Sequence, residues 1–553
     1  MAFELEHDWQ ANLSTPRARI GEKAKTHLLI LLCVIWVCFG LIGHAPWKPD
    51  ESQSISIVKS MLQEGSLLAP MAVGQTKLEN PPLFYWSASG LAKLLAPVLP
   101  MHDAARLASG IWMALAIMMV GMTGRELWSS GSGRQTVFIF LSSIGLIIPA
   151  HLLIPELAAL TGLAMSLYAL ALAKRRPFRA SVLLGSGIGI SFLATGFSSA
   201  AIAIASALVL PAFFGAWRSK SFAIVLGLSA LAASPWLTLW PVLLALTSPD
   251  LFYAWLHSSS ADFNNYQHIH FLKTLTWYAW PALPIAIWGL WRYRACLLNK
   301  PKFQLLISFF VISFIFIGLS ADRRDIHALP LLLPLAILAG GSVETLKRGA
   351  AGLLNWFGLI LFGSLSALIW LGWFAMTMGW PAKLAERMKI LSGVTAPQIN
   401  WLAFFIALAA SIVGLLVIYN AKRSNRAAIT DWAVGMTMTW CLLMTLWLPW
   451  IDAAKSYQKV MFSLKDALPA DYICVSSYHL GTPQRALLDY YTNILTQPTE
   501  RTQPISCDLY LIQDERNKEK IEPGADWKLI WQGKRASDRF ESFRLYQYVS
   551  YHT

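Results

Sequence analysis

Three carboxylates stand where this chain could do chemistry. Asp50 and Glu51 lie in Ala45-Pro46-Trp47-Lys48-Pro49-Asp50-Glu51-Ser52, and Glu79 lies in Leu78-Glu79-Asn80-Pro81-Pro82-Leu83-Phe84-Tyr85-Trp86. Acids are scarce here: 14% of the 553 residues are charged and 56% are hydrophobic, against about 25% charged in soluble domains. A carboxylate placed where a membrane helix meets its outer loop can remove a proton from an attacking hydroxyl. A second carboxylate beside it can help hold a cation. Each acid also has a plainer account. Asp50 and Glu51 suit the first turn of a helix, where the macrodipole favours negative charge. Glu79 suits a solvated position before a helix, and Tyr85 and Trp86 suit an interfacial aromatic belt.

Two further clusters carry titratable side chains. His257, His268 and His270 surround Asp262. They read either as polar interfacial residues or as a metal or substrate site completed by Glu79, with His257 or His270 the favoured ligand. The metal is Zn²⁺ or Mg²⁺, and histidine favours zinc. The second cluster is Ser320-Ala321-Asp322-Arg323-Arg324-Asp325-Ile326-His327-Ala328-Leu329-Pro330. Its arginines fall on the outer side in the topology below, against the charge rule for membrane proteins. They need either an ion pair with Asp322 or Asp325, or an anionic ligand. Lys48 and Lys77, each two residues before an acid, are the other nearby cations.

The elements that must position these residues are mostly membrane helices. Apolar runs of spanning length recur, giving about thirteen candidate spans at 27–45, 102–124, 132–149, 152–173, 180–195, 197–216, 221–246, 272–291, 303–320, 325–345, 351–377, 399–420 and 428–450. The first lacks a cleavage site and reads as a retained helix. Lys and Arg cluster in alternate short loops, including Arg17–Lys25, Arg125 and Arg134, Lys174–Arg179, Arg292–Lys302 and Lys422–Arg426. That side is cytoplasmic, so the N-terminus is inside and the tail outside. The same pattern accounts for the net charge of +14 without nucleic acid. The chain thus divides into a cytoplasmic arm (1–26), a transmembrane domain (27–450) with a long outer loop (46–101), and an extracytoplasmic domain (451–553). Within the outer loop, Ile55, Val58 and Leu62 have helical spacing, Pro49 suits the helix start and Gly65 its end. This helix is expected to lie along the membrane surface. Asn80 and Pro81 read as the N-cap and first residue of another helix, to about Leu95. The tail shows strand-like runs at 472–478, 508–513, 527–531 and 543–549, with helical stretches at 456–468 and 484–495, a small α/β domain. Cys474 and Cys507 lie in it, outside the cytoplasm, and are predicted to form a disulfide. The fold class is therefore mainly α, a polytopic membrane protein with a small C-terminal α/β domain.

A first helix ending in Pro-x-x-Pro-Asp-Glu, followed by a surface helix and Glu-x-Pro-Pro-Leu-x-Tyr-Trp, resembles the GT-C superfamily of membrane glycosyltransferases. The likeness is greatest to the lipid A aminoarabinose transferase family, relatives of the protein mannosyltransferases. The resemblance implies that Asp50 is the general base and Glu79 a second carboxylate that helps hold a metal with His257 or His270. Glu51 is expected to matter less. Arg323 and His327 fit the spacing of a family Lys and Tyr, so the resemblance implies donor contacts there; Arg324 and Lys48, as outer-side cations near the acids, and Tyr85 are the further candidate donor contacts. Asn80 stands where the family has Lys, Ser52 and Gln53 where it has Arg, and Thr195-Gly196 where it has Lys-Gly. An Asp-Pro-like motif corresponds to Ile154-Pro155-Glu156, with the acid displaced.

The expected activity is transfer of a sugar, such as 4-amino-4-deoxy-L-arabinose, from a polyprenyl-phosphate donor to lipid A or another envelope acceptor at the outer face of a bacterial inner membrane. Alternatives are a protein or polysaccharide glycosyltransferase of the same fold, and a flippase of lipid-linked sugars. Transporters show paired broken helices or midplane acids, and here Glu156 alone lies inside an early span.

Overall fold

The computed structural model describes residues 22–258, 268–319, 323–394, 399–420, 424–499, 507–515, 522–538 and 540–549. Asp262, Ser320, Ala321 and Asp322 lie outside the described residues.

Among the described residues, eight helices are long and apolar enough to cross a bilayer, or nine if the bent pair Gly131–Leu141 and Ile144–His151 is one span. Three shorter apolar helices, Lys25–Cys38, Glu156–Leu172 and Phe197–Phe213, stand at other expected spans. At 272–291 there are two helices, His268–Tyr278 and Ala282–Arg292. An apolar helix, whole or broken, thus stands at each of the thirteen expected places, though not all are of spanning length. Glu156–Leu172 is surrounded by protein along almost its whole length, so its neighbours rather than the bilayer set its length. It packs against Pro177–Thr195 on one side and Met101–Leu127 on the other. At the first contact, Gly162 and Gly187 face each other; a Cβ on either would come within 2.7 Å of the other's carbonyl oxygen. Small residues permit this close backbone approach, which membrane helices use in place of hydrophobic driving force.

The segment 46–101 folds as a compact cap. Its first helix, Asp50–Gln63, starts after Pro49 and ends before Gly65, whose φ is +73°. The expectation that it lies on the membrane surface needs correction. Ile55, Val58 and Met61 are buried, and the helix is enclosed between the bundle and the tail domain. Lys59 Nζ bonds Asp489 Oδ1 of the tail at 2.7 Å, and both side chains are largely buried. A hairpin follows, β1 (Met71–Ala72) and β2 (Gln75–Thr76), turning through Val73 and Gly74, both at positive φ. That is the backbone a two-residue hairpin turn requires. The next helix starts at Leu83, later than expected, and no side chain caps it.

The tail forms a five-stranded sheet in the order β4-β3-β5-β7-β6. The strands are β3 (Val475–Tyr478), β4 (Thr496–Pro498), β5 (Leu509–Glu515), β6 (Trp527–Gly533) and β7 (Glu541–Tyr548). β4, β3 and β5 are parallel, whereas β7 and β6 add antiparallel. Helices Gln458–Asp466 and Thr482–Thr492 pack Met461, Leu464, Leu487 and Leu488 against Val475, Leu509, Leu511 and Leu545. Cys474 and Cys507 are disulfide-bonded just before the paired strands β3 and β5. Asp452 fastens this domain to the bundle, accepting hydrogen bonds from Ala45 N at 2.9 Å and Trp47 Nε1 at 3.1 Å.

Candidate active site

The site is built where the cap meets the bundle. Asp50, the first residue of the cap helix, is half-buried. Its Oδ1 accepts a hydrogen bond from Arg324 Nη1 at 2.9 Å. Arg324 enters a cavity of about 220 Å³ whose polar lining includes Glu79, Asn80, Glu156, Thr195, Ser199 and His327. Separate parts of the sequence thus converge on one small volume.

Local chemistry explains how each part arrives. Glu156 opens its helix after Pro155, where an acid is favoured by the helix dipole. Its Oε2 is buried with no hydrogen-bond partner among the described residues. Since a buried unsatisfied carboxylate oxygen is costly, this group has capacity for a donor from a ligand. Gly196 adopts φ +77° and ψ −154°, a conformation essentially reserved for glycine. It ends one helix, starts the next and lies against the backbone of Glu79. Beside it, Thr195 Oγ1 and Ser199 Oγ are 2.7 Å apart.

Glu51 has a different task from Asp50. It is fully buried, and its Oε1 takes hydrogen bonds from Arg106 Nε at 2.6 Å and Leu153 N at 3.0 Å. Oε2 accepts from Trp47 N at 2.9 Å. Burial alone would raise its pKa, but the Arg106 guanidinium, with His44 and these hydrogen bonds, holds it below the usual carboxylate value. Arg106 Nη1 also bonds Asp103 Oδ1 at 2.9 Å and Leu41 O at 3.0 Å. This latch ties the Asp50 turn to the turn that presents Glu156.

Several predicted roles change. Asn80 does not cap a helix. It and Ser54 hydrogen-bond to Tyr85, whose phenol burial pushes up, with Glu156 adding to the rise. Tyr85 is thus a buried neutral group behind the cavity rather than a donor contact. Lys48 is engaged by Glu541 and by Tyr457 Oη at 3.3 Å, which makes it part of the tail docking. Arg323 is exposed and absent from the cavity lining, whereas Arg324 and His327 line it.

The expected metal set of Glu79, His257 and His270 does not assemble. Among the described residues, no group of three or more His, Cys, Asp or Glu side chains could hold a metal ion. His270 Nε2 lies 3.2 Å from Asp325 Oδ1 without hydrogen-bond geometry, while Thr274 donates to that same oxygen at 2.9 Å. His268 packs on Gly318 and Phe314, and His257 is exposed near the end of its helix. These residues do not fit a metal centre, and no catalytic step is derived through one.

Comparison with known proteins supports the same architecture. The aminoarabinose transferase of Serratia proteamaculans, named for undecaprenyl phosphate-α-4-amino-4-deoxy-L-arabinose, is 24% identical over 498 residues, covering 83% of this chain and 81% of that protein. A Pseudomonas fluorescens protein of the same name is 26% identical over 339 residues, 57% of each chain. The crystal structure of ArnT from Cupriavidus metallidurans bound to undecaprenyl phosphate superposes with a TM-score of 0.66 at 13% identity, covering 95% of this chain and 98% of that one. The chain thus shares the fold of that structure. No family model matches the chain. The likeness of fold covers the bundle and the tail domain, and the likeness of sequence covers 83% of the chain.

Arg106 was missed by sequence reasoning. A signal existed: a cation close behind His102 and Asp103, inside an apolar run of spanning length, calls for a buried partner.

Proposed function

We propose that this chain transfers a sugar, 4-amino-4-deoxy-L-arabinose, from a polyprenyl-phosphate donor to lipid A at the outer face of a bacterial inner membrane. The N-terminus is cytoplasmic and the tail domain periplasmic, a reading supported by the loop charges and by the Cys474–Cys507 disulfide. The observation that carries the proposal is the junction of Asp50 with Arg324 beside the cavity lined by Glu79, Glu156 and His327.

In this reading, Asp50 is the base. An acceptor oxygen attacks the anomeric carbon, its proton passes to Asp50, and the bond between the anomeric carbon and the donor phosphate oxygen breaks. The polyprenyl phosphate leaves with the electron pair. Arg324, a fork with five N–H donors, meets the negative charge that builds on the leaving phosphate. It replaces the family lysine that Asn80 lacks, and His327 lies in the same cavity lining. Arg323, outside that lining, has no part. Glu79 and Glu156 orient the sugar by accepting hydrogen bonds from its hydroxyl or amino groups. The lipid tail stays in the bilayer.

Purified protein supplied with polyprenyl-phosphate aminoarabinose and lipid A should yield lipid A heavier by one aminoarabinose residue, read by mass spectrometry. Asp50→Asn should abolish the product while leaving the melting curve intact. Unmodified lipid A with the wild type, or full turnover by Asp50→Asn, would refute the reading. Movement of labelled donor across proteoliposomes without transfer would favour the flippase instead.

A further inference from the structure

A larger cavity lies apart from the site just described. A groove of about 1000 Å³ runs along helix Met101–Leu127, walled by apolar side chains that include Cys33, Val37, Ile111, Ala114, Met118 and Val137. At one end it shares Met122 and Arg125 with a second cavity of about 400 Å³, lined also by Glu126, Tyr168, Arg175 and Arg176. The two adjoin along Met122 and Arg125, an apolar trough beside a cationic chamber. Neither shares a lining residue with the cavity around Glu79 and Arg324.

We propose that this is a binding site for one anionic phospholipid of the cytoplasmic leaflet, with its head group in the chamber and an acyl chain in the trough. Three features of the site select that occupant. First, the chamber sets three guanidinium groups against one carboxylate, and that carboxylate, Glu126, is already paired with Arg175 at 3.0 Å. A net cationic pocket between membrane helices favours an anionic head group, whereas a zwitterionic lipid would bring its own cation into the excess. Second, the chamber lies at the end of the helix that the loop charges place on the cytoplasmic side, which fixes the leaflet. Third, the length fits. From Arg125 back to Ile111 the helix rises about 21 Å at 1.5 Å per residue, somewhat more than one leaflet of a ~30 Å hydrocarbon core. Ile111, Met118 and Val34 stay largely exposed on the protein, as lipid-facing walls should.

Native mass spectrometry of the full chain released from nanodiscs tests this, with phosphatidylglycerol, phosphatidylcholine and undecaprenyl phosphate offered in separate arms. One phosphatidylglycerol should stay bound where phosphatidylcholine is lost. The double variant Arg125→Ala/Arg176→Ala should lower its retention on the order of tenfold or more. Ala114→Trp, which fills the trough and leaves every arginine in place, should weaken retention as well, so the proposal does not depend on one variant folding. Equal retention of phosphatidylglycerol and phosphatidylcholine, retention of undecaprenyl phosphate that falls in the Arg125→Ala/Arg176→Ala variant while that of phosphatidylglycerol does not, or unchanged retention of phosphatidylglycerol in variants that elute as folded monodisperse protein would overturn it. None of these outcomes depends on sugar transfer, so the proposal stands or falls separately from the function above.

Discussion

Removing Arg106 should do more damage to this protein than removing any exposed cation. Arg106 and Glu51 are about as buried as side chains can be, 1% and 0% exposed, so solvent does not screen their interaction. Arg106→Ala strands the Glu51 carboxylate and deprives Asp103 of its guanidinium partner. Breaking a buried pair from one side costs about 3–5 kcal/mol. Glu51 keeps the amide donors of Trp47 and Leu153, which argues for the lower end, about 3 kcal/mol. Glu51→Gln retains shape and one acceptor, and Arg106 keeps Asp103, so the loss should be about 1.5–3 kcal/mol, the worth of a charged hydrogen bond. Glu51 therefore matters for stability, a role separate from the expectation that it contributes less than Asp50 to transfer. Apolar replacement of both partners often restores stability in buried pairs. Here Glu51→Leu/Arg106→Met should remain destabilised, because the amides of Trp47 and Leu153 lose their acceptor at about 1–3 kcal/mol each. Thermal unfolding in detergent, followed by tryptophan fluorescence, reads all three variants. A midpoint for Arg106→Ala within about 1 °C of wild type, or a double variant as stable as wild type, would refute the latch.

Other perturbations separate roles within the same framework. The latch should also be acid-sensitive. The Glu51 pKa is lowered in the folded state, so its contribution is present above the ordinary carboxylate value and is lost as pH falls through the depressed one; Glu51→Gln should flatten the acid limb of a stability–pH curve. Arg324→Ala should raise the donor KM strongly while Arg323→Ala leaves it unchanged, and the reverse order in transfer assays would show that the wrong arginine has been assigned. Gly196→Ala should cost about 1–3 kcal/mol through backbone strain and reduce transfer by shifting Glu79, measured as melting temperature and turnover on one sample. Cys474→Ser/Cys507→Ser opens a loop of 33 residues, which chain entropy values at about 3–4 kcal/mol; limited proteolysis should then cut the tail first, and equal resistance would count against the estimate.

The sequence by itself determined the membrane class, the separate tail domain with its helices and most of its strands, the start of the cap helix at Asp50 and the pairing of Cys474 with Cys507. These depend on hydrophobic period, run length, turn residues and compartment, all of which are local or compositional. It also marked Asp50 and Glu79 as candidates, because a carboxylate in so apolar a chain needs a reason. The tertiary structure alone decided which cation meets which acid. Arg323 and Arg324 are adjacent and chemically identical, and only the direction of the backbone puts Arg324 beside Asp50. Likewise, adjacent acids in one helical turn point about 100° apart, so Asp50 faces Arg324 while Glu51 turns inward to Arg106. The histidines failed as a ligand set for the same reason: spacing places residues on an element, but only the packing of elements brings side chains from 79, 257 and 270 together or keeps them apart. Glu156 was visible as an acid in an apolar helix. Its place in the cavity came from the close packing around Gly162 and Gly187, a long-range contact that no local pattern encodes.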